Sequence, residues 1–130
     1  MKLLARAHGV FYLVTGLWPL FDIDSFQAVT GAKTDLWLVK TVGLLISVIG
    51  AALVVSSRRA TVTSEVVVLA AGSALALGAI DVFYAATGVI SKVYLLDAPA
   101  EAALAGAWIL LWIREKKKAG EDESPPALPG

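Results

Sequence analysis

The sequence predicts an all-α integral membrane protein built as an antiparallel four-helix bundle, and three observations predict it. Of the 130 residues, 58% are hydrophobic, above the roughly 45–50% of soluble domains. The apolar residues gather in four blocks, Leu3–Leu20, Leu36–Val55, Val66–Thr87 and Ala98–Ile113. Each block is close to the roughly 20 residues that cross a bilayer as a helix. The basic residues then fall on one side of the bundle these blocks imply. Lys2, Arg6, Arg58, Arg59, Arg114, Lys116, Lys117 and Lys118 lie on that side, and only Lys33 and Lys92 on the other. This bias places both termini in the cytoplasm of a multi-pass protein of the inner (plasma) membrane.

The first span opens with Lys2 and Arg6, as a signal peptide would. It lacks a small-residue cleavage site and ends in Trp18-Pro19-Leu20-Phe21, so it reads as a retained helix whose last turn Pro19 kinks or ends. The connection Asp22–Asp35 predicts a short interfacial helix, capped by Asp24 or Ser25 and stopped at Gly31, with Phe26 and Val29 sharing a face. Thr34 and Asp35 open the second span. On it Lys40, Gly43, Ser47 and Gly50 recur at helical spacing, a mostly small stripe that admits a neighbouring helix closely. Thr63 or Ser64 caps the third span, which is rich in alanine and glycine for the same reason. Gly88–Leu96 is apolar but short and reads as a partly buried hairpin. Asp97 and Pro99 then start the fourth span, cap first and proline in the first turn. Residues 1–113 form one transmembrane domain. The charged, then Pro-rich segment 114–130 reads as a disordered cytoplasmic tail.

Composition also excludes. The net charge is zero, so no basic field points to nucleic acid. With no cysteine and one histidine, thiolate metal sites, iron–sulfur clusters, dithiol redox chemistry and bis-histidine haem are ruled out for one chain. Asp22, Asp24, Asp35 and Asp97 match no calcium loop. No cofactor and no metal site is expected.

Three ionisable groups fall in the outer half of the spans, each costing roughly 2.5–3.5 kcal/mol near the middle of a spanning helix and somewhat less near its ends. Lys40 lies about 6 Å below the outer start of its helix, Glu101 at a similar depth, and Asp81 about 9 Å down, at 1.5 Å per residue. Three groups at one level on three helices predict a Lys40–Asp81–Glu101 cluster inside the bundle. Tyr84, one turn beyond Asp81, is the expected hydroxyl donor. Trp18, Trp37 and Tyr94 would surround the mouth. His8, with Tyr12 and Thr15, makes a polar stripe on the first span. It reads as a packing residue, about 20 Å from Asp81 in a bilayer roughly 30 Å thick.

The stretches YLVTGLWPL, VTGAKTDLWLVKTVGLL and ISKVYLLDAPAE resemble a group of small bacterial four-helix membrane proteins, DoxX-like in general pattern. With their spacers they cover roughly residues 5–113. DoxX-like proteins look like membrane subunits associated with redox enzymes, so the resemblance implies a partner protein and carries no reaction. Relatives of the emopamil-binding type also place acids in a helical bundle around a lipophilic amine or sterol, and no residue is carried over from them.

These readings lead to three functional expectations. The first is an outer-leaflet polar pocket for a lipophilic, cationic small molecule or lipid, lined by Lys40, Asp81, Tyr84 and Glu101. The second is an accessory or structural subunit of a larger membrane complex, or a homo-oligomer, with the ion cluster serving helix packing. The third is a lipid isomerase with Asp81 and Glu101 as acid and base. It ranks last because no catalytic motif is present, and no catalytic residue is assigned.

Overall fold

A computed structural model describes residues 1–123 and 125–129. Among them the chain is all α, with five helices and no strand: α1 Lys2–Phe21, α2 Ile23–Thr30, α3 Leu36–Ser56, α4 Ser64–Ala86 and α5 Tyr94–Asp122. The four long helices pair as two antiparallel hairpins, α1 with α3 and α4 with α5. One end of the bundle carries α2 and the α4–α5 turn and is called the α2 end below. The other carries the start of α1, the α3–α4 turn and the C-terminal half of α5. It is the basic end.

α3, α4 and α5 are each long and apolar enough to cross a membrane. The burial pattern is that of a protein with an apolar surround. The interior is lined mostly by alanine, glycine and polar side chains, while Val14, Leu45, Val48, Val68, Leu75 and Leu110 face outward. In water that arrangement would expose a large apolar surface. α1 turns His8, Tyr12 and Pro19 inward and Leu3, Val10 and Val14 outward.

The α1–α3 seam is set by two pairs of facing glycines. A Cβ on Gly9 would meet the Gly50 carbonyl oxygen at 2.6 Å, and one on Gly16 the Gly43 carbonyl oxygen at the same distance. Seven residues separate the glycines on each helix, so the same faces meet twice. The Ser47 hydroxyl between them donates to the Gly43 carbonyl at 2.7 Å. The small stripe of Gly43, Ser47 and Gly50 therefore receives a helix of its own chain. An apolar core at the basic end joins Ala5, Leu53, Val62, Val67, Ala70 and Trp108.

α2 forms where the sequence predicts a short helix, but Asp22 caps it, its side chain accepting the Ser25 N–H at 3.1 Å. Asp24 lies inside the first turn. α4 ends in a Schellman motif, in which Val89 N–H donates to Tyr84 O at 2.9 Å and Gly88 N–H to Ala85 O at 3.2 Å. Gly88 takes the positive φ of 80° this requires.

Two boundaries differ from expectation. α5 begins at Tyr94, not Ala98. The N–H groups of Tyr94, Leu95 and Leu96 donate to the carbonyls of Ser91, Lys92 and Val93, a 3₁₀ lead-in to the α-helix. Asp97 and Pro99 thus lie just inside the helix. Its other end continues through Asp122, so Arg114–Asp122 is helical where a disordered tail was expected. Arg, Glu, Lys and Ala are good helix formers, and the 29 residues of α5 run about 44 Å, well beyond the roughly 30 Å of a bilayer core. Of the remaining tail, residues 125–129 carry no regular structure, and Ser124 and Gly130 lie outside the described residues.

Candidate functional site

The second seam, between α4 and α5, buries carboxyls. Asp81 on α4 is 6% exposed and Glu101 on α5 is 2% exposed. The Asp97 carboxyl, one turn before Glu101, lies in hydrogen-bonding range of Asp81, and Glu101 adds its field to the same group. Two carboxyls approach so closely only with a proton or a cation between them. Asp81 Oδ2 has no hydrogen-bond partner. Gly78, one turn before Asp81, opens the space: a Cβ there would lie 3.3 Å from Glu101 Cβ.

α1 reaches this seam through Tyr12. Its hydroxyl, buried, donates to Glu101 Oε2 at 2.9 Å, and Ser73 of α4 lies within reach of the Tyr12 hydroxyl. One turn back on α1, the fully buried His8 ring stacks edge-on against Tyr12, with centroids 4.2 Å apart. The indole N–H of Trp108 donates to His8 Nδ1 at 3.0 Å. That bond leaves the imidazole proton on Nε2, which has no acceptor. Tyr94, Asp97, Glu101 and Trp108 follow one another on α5 at intervals of three, four and seven residues. One face of that helix thus runs from the α2 end into the apolar core as a polar stripe.

Of the residues the sequence singles out, Asp81 and Glu101 come together. Lys40 does not join them. It is exposed on α3, one turn before Gly43 on the stripe that meets α1, and α3 packs on α1 and not on the acidic α4–α5 seam. The expected one-lysine, two-acid cluster is instead a cluster of three acids. Tyr84 is also displaced. It is 37% exposed and meets Phe83 edge-on, and the tyrosine that serves an acid is Tyr12. His8 is linked to one acid through Tyr12, which it meets edge-on and whose hydroxyl donates to Glu101.

The aromatic residues expected at the mouth divide. The Trp18 indole N–H donates to Ser25 Oγ at 2.7 Å and its ring meets Phe26 edge-on, clamping α2 to α1. Tyr94 is half-buried at the head of the acidic stripe. Trp37 is 69% exposed and points away. Beside the seam, Phe11, Ala100, Ala103 and Leu104 line an open apolar groove of about 340 Å³. Among the described residues no group of histidines and acids is arranged to hold a metal ion.

No protein-family model, no curated protein and no solved structure matches this chain. The functional reading therefore stands on the geometry above.

Proposed function

We propose that this chain is a multi-pass plasma-membrane protein in which α1, α3, α4 and α5 all cross the bilayer, with both termini cytoplasmic. Its acidic seam binds a lipophilic, cationic small molecule or lipid in the outer leaflet, with Asp81 as counter-ion. The observation that carries this reading is Asp81 itself. It is a buried carboxyl with one oxygen unpartnered, faced by two further carboxyls, and the buried charged groups among the described residues include no lysine or arginine. Burying unpaired charge is expensive, and a cationic ligand supplies what the chain does not. The apolar groove of Phe11, Ala103 and Leu104 suits the ligand's apolar part. The basic end, with Arg58, Arg59 and Arg114, supports the orientation, and the outward valines and leucines of α1 support its place in the bilayer.

Native mass spectrometry with lipid analysis tests this, comparing wild type with Asp81→Asn. The expected result is a bound small cation in the wild type that is absent from a folded variant. Equal ligand occupancy in both would overturn the proposal.

A second reading is an accessory subunit of a larger membrane complex, in keeping with the DoxX-like resemblance. One observation favours it. On α4, Gly72, Ala76 and Ala79 face away from the bundle, and a Cβ on Gly72 would meet nothing within 4 Å. Such a small-residue face suits close packing against another helix, from a partner or a second copy. A second protein or a fixed oligomer in the same spectra, lost in Gly72→Leu, would favour this reading.

A further inference from the structure

The α2 end of the bundle carries a cation held by no carboxylate among the described residues. The Lys33 ammonium lies 5.0 Å from the centre of the Tyr94 ring and 5.6 Å from that of Phe26. It donates to the carbonyls of Thr30 at 3.3 Å and Gly31 at 3.2 Å. Its backbone N–H donates to Gln27 Oε1 at 3.0 Å, which ties the residue to α2. Aromatic faces and carbonyl oxygens converging on one point are the chemistry that recognises an ammonium group.

The position matters as much as the chemistry. Tyr94 heads the α5 face that continues through Asp97 and Glu101, about 4.5 and 10.5 Å further along the helix. The aromatic pair therefore stands at the α2-side entrance of the seam that holds the unpartnered Asp81 oxygen. Gly31 keeps the loop bearing Lys33 close to that entrance. Its φ is 98°, and a Cβ there would lie 3.1 Å from Ser91 Cβ across the α4–α5 turn. The ammonium group at the entrance of an acid-lined seam is thus the chain's own.

We propose that Phe26 and Tyr94 form an ammonium-recognising vestibule for the acidic seam, and that Lys33 occupies it until the ammonium group of a ligand displaces it. This inference rests on the reading of Asp81 as counter-ion and narrows the ligand to an alkylammonium amphiphile without a phosphate, which the three carboxyls would repel. Lys33 then acts as a built-in competitor, setting the affinity below what the seam alone would give.

The test uses the full chain in phosphatidylglycerol nanodiscs, which carry no ammonium lipid, with dodecyltrimethylammonium as the probe and empty nanodiscs as the partition control. Lys33→Gln removes the competitor and should tighten binding, and Tyr94→Leu removes an aromatic face and should weaken it. Each effect should be about 2- to 30-fold, the range of one cation–π contact. Lys33→Arg restores a cation and should return the wild-type affinity. Circular dichroism and gel filtration establish that each variant is folded. If Lys33→Gln binds no tighter than wild type while Asp81→Asn still abolishes binding, the vestibule is overturned and the counter-ion reading stands. If neither wild type nor Lys33→Gln binds the probe, both are overturned.

Discussion

Along the α1–α3 seam the buried groups are glycine backbone and a serine whose hydroxyl Gly43 already accepts. Along the α4–α5 seam they are carboxyls, one of them with an oxygen that no described hydrogen-bond donor meets. The first seam gains its stability from contact alone, because each missing Cβ lets two backbones touch and dispersion accumulates over the whole crossing. The second gives up that economy. It spends buried positions on groups that are unfavourable to bury, and α1 lends it one hydroxyl through Tyr12. The first seam is built for packing, and the second is the one proposed above to take a ligand.

The comparison is broken most severely at Gly16. Gly16→Ala would drive a Cβ to 2.6 Å from both the Gly43 carbonyl oxygen and Ser47 Oγ, and backbone cannot step aside as a side chain can. The helices must separate, at about 3 kcal/mol, read as a lowered midpoint in thermal or dodecyl-sulfate unfolding. Gly72→Ala on the open face of α4 is the matched control and should be near neutral.

Tyr12→Phe comes next. It leaves Glu101 Oε2 without its donor at constant shape, and a buried acceptor deprived of its partner costs about 1–3 kcal/mol. The same unfolding assay reads it, and an unchanged midpoint would show that the hydroxyl contributes nothing to the seam. Gly78→Ala sharpens the contrast with Gly16. The chemical change is identical, but its Cβ would meet Glu101 Cβ at 3.3 Å, a contact relieved by a shift of a few tenths of an ångström. Its cost should stay below about 1 kcal/mol. The smallest effect is spectroscopic. Nitrogen-15 shifts of His8 should show Nδ1 as the unprotonated acceptor and Nε2 as protonated, and Trp108→Phe should move the Nδ1 signal with less change at Nε2.

Much of this division is legible in the sequence, for particular reasons. The spacing of Gly43, Ser47 and Gly50 marks a close-packed face, because small residues repeating at helical intervals have few other uses. The cap and stop of α2 are local chemistry and need no tertiary knowledge, even though Asp22 and not Asp24 supplies the cap. The approach of Asp81 to Glu101 follows from depth, which residue counting measures well. Rotation about the helix axis is what counting does not measure. Lys40 has the right depth, but it shares the stripe of α3 that faces α1, and the acids lie on the α4–α5 seam. Tyr84 shares a helix with Asp81 yet points outward. The pairing of Tyr12 with Glu101 and of His8 with Trp108 spans three-quarters of the chain. Its one trace in the sequence is the seven-residue step from Glu101 to Trp108, matched by the four-residue step from His8 to Tyr12. The helical extension of α5 past Ile113 was hidden because charge argues against burial without arguing against a helix.

The central claim is that Asp81 is kept for a cation and does not hold the fold together. The most direct measurement is the unfolding midpoint of Asp81→Asn against wild type, in the same nanodiscs and without added ligand. The substitution replaces the unpartnered carboxyl oxygen and offers an amide donor to Asp97 and Glu101. The account predicts a midpoint equal to or above that of the wild type. A loss of about 3–5 kcal/mol, the effect of breaking a buried ion pair, would contradict it and make the seam part of the scaffold.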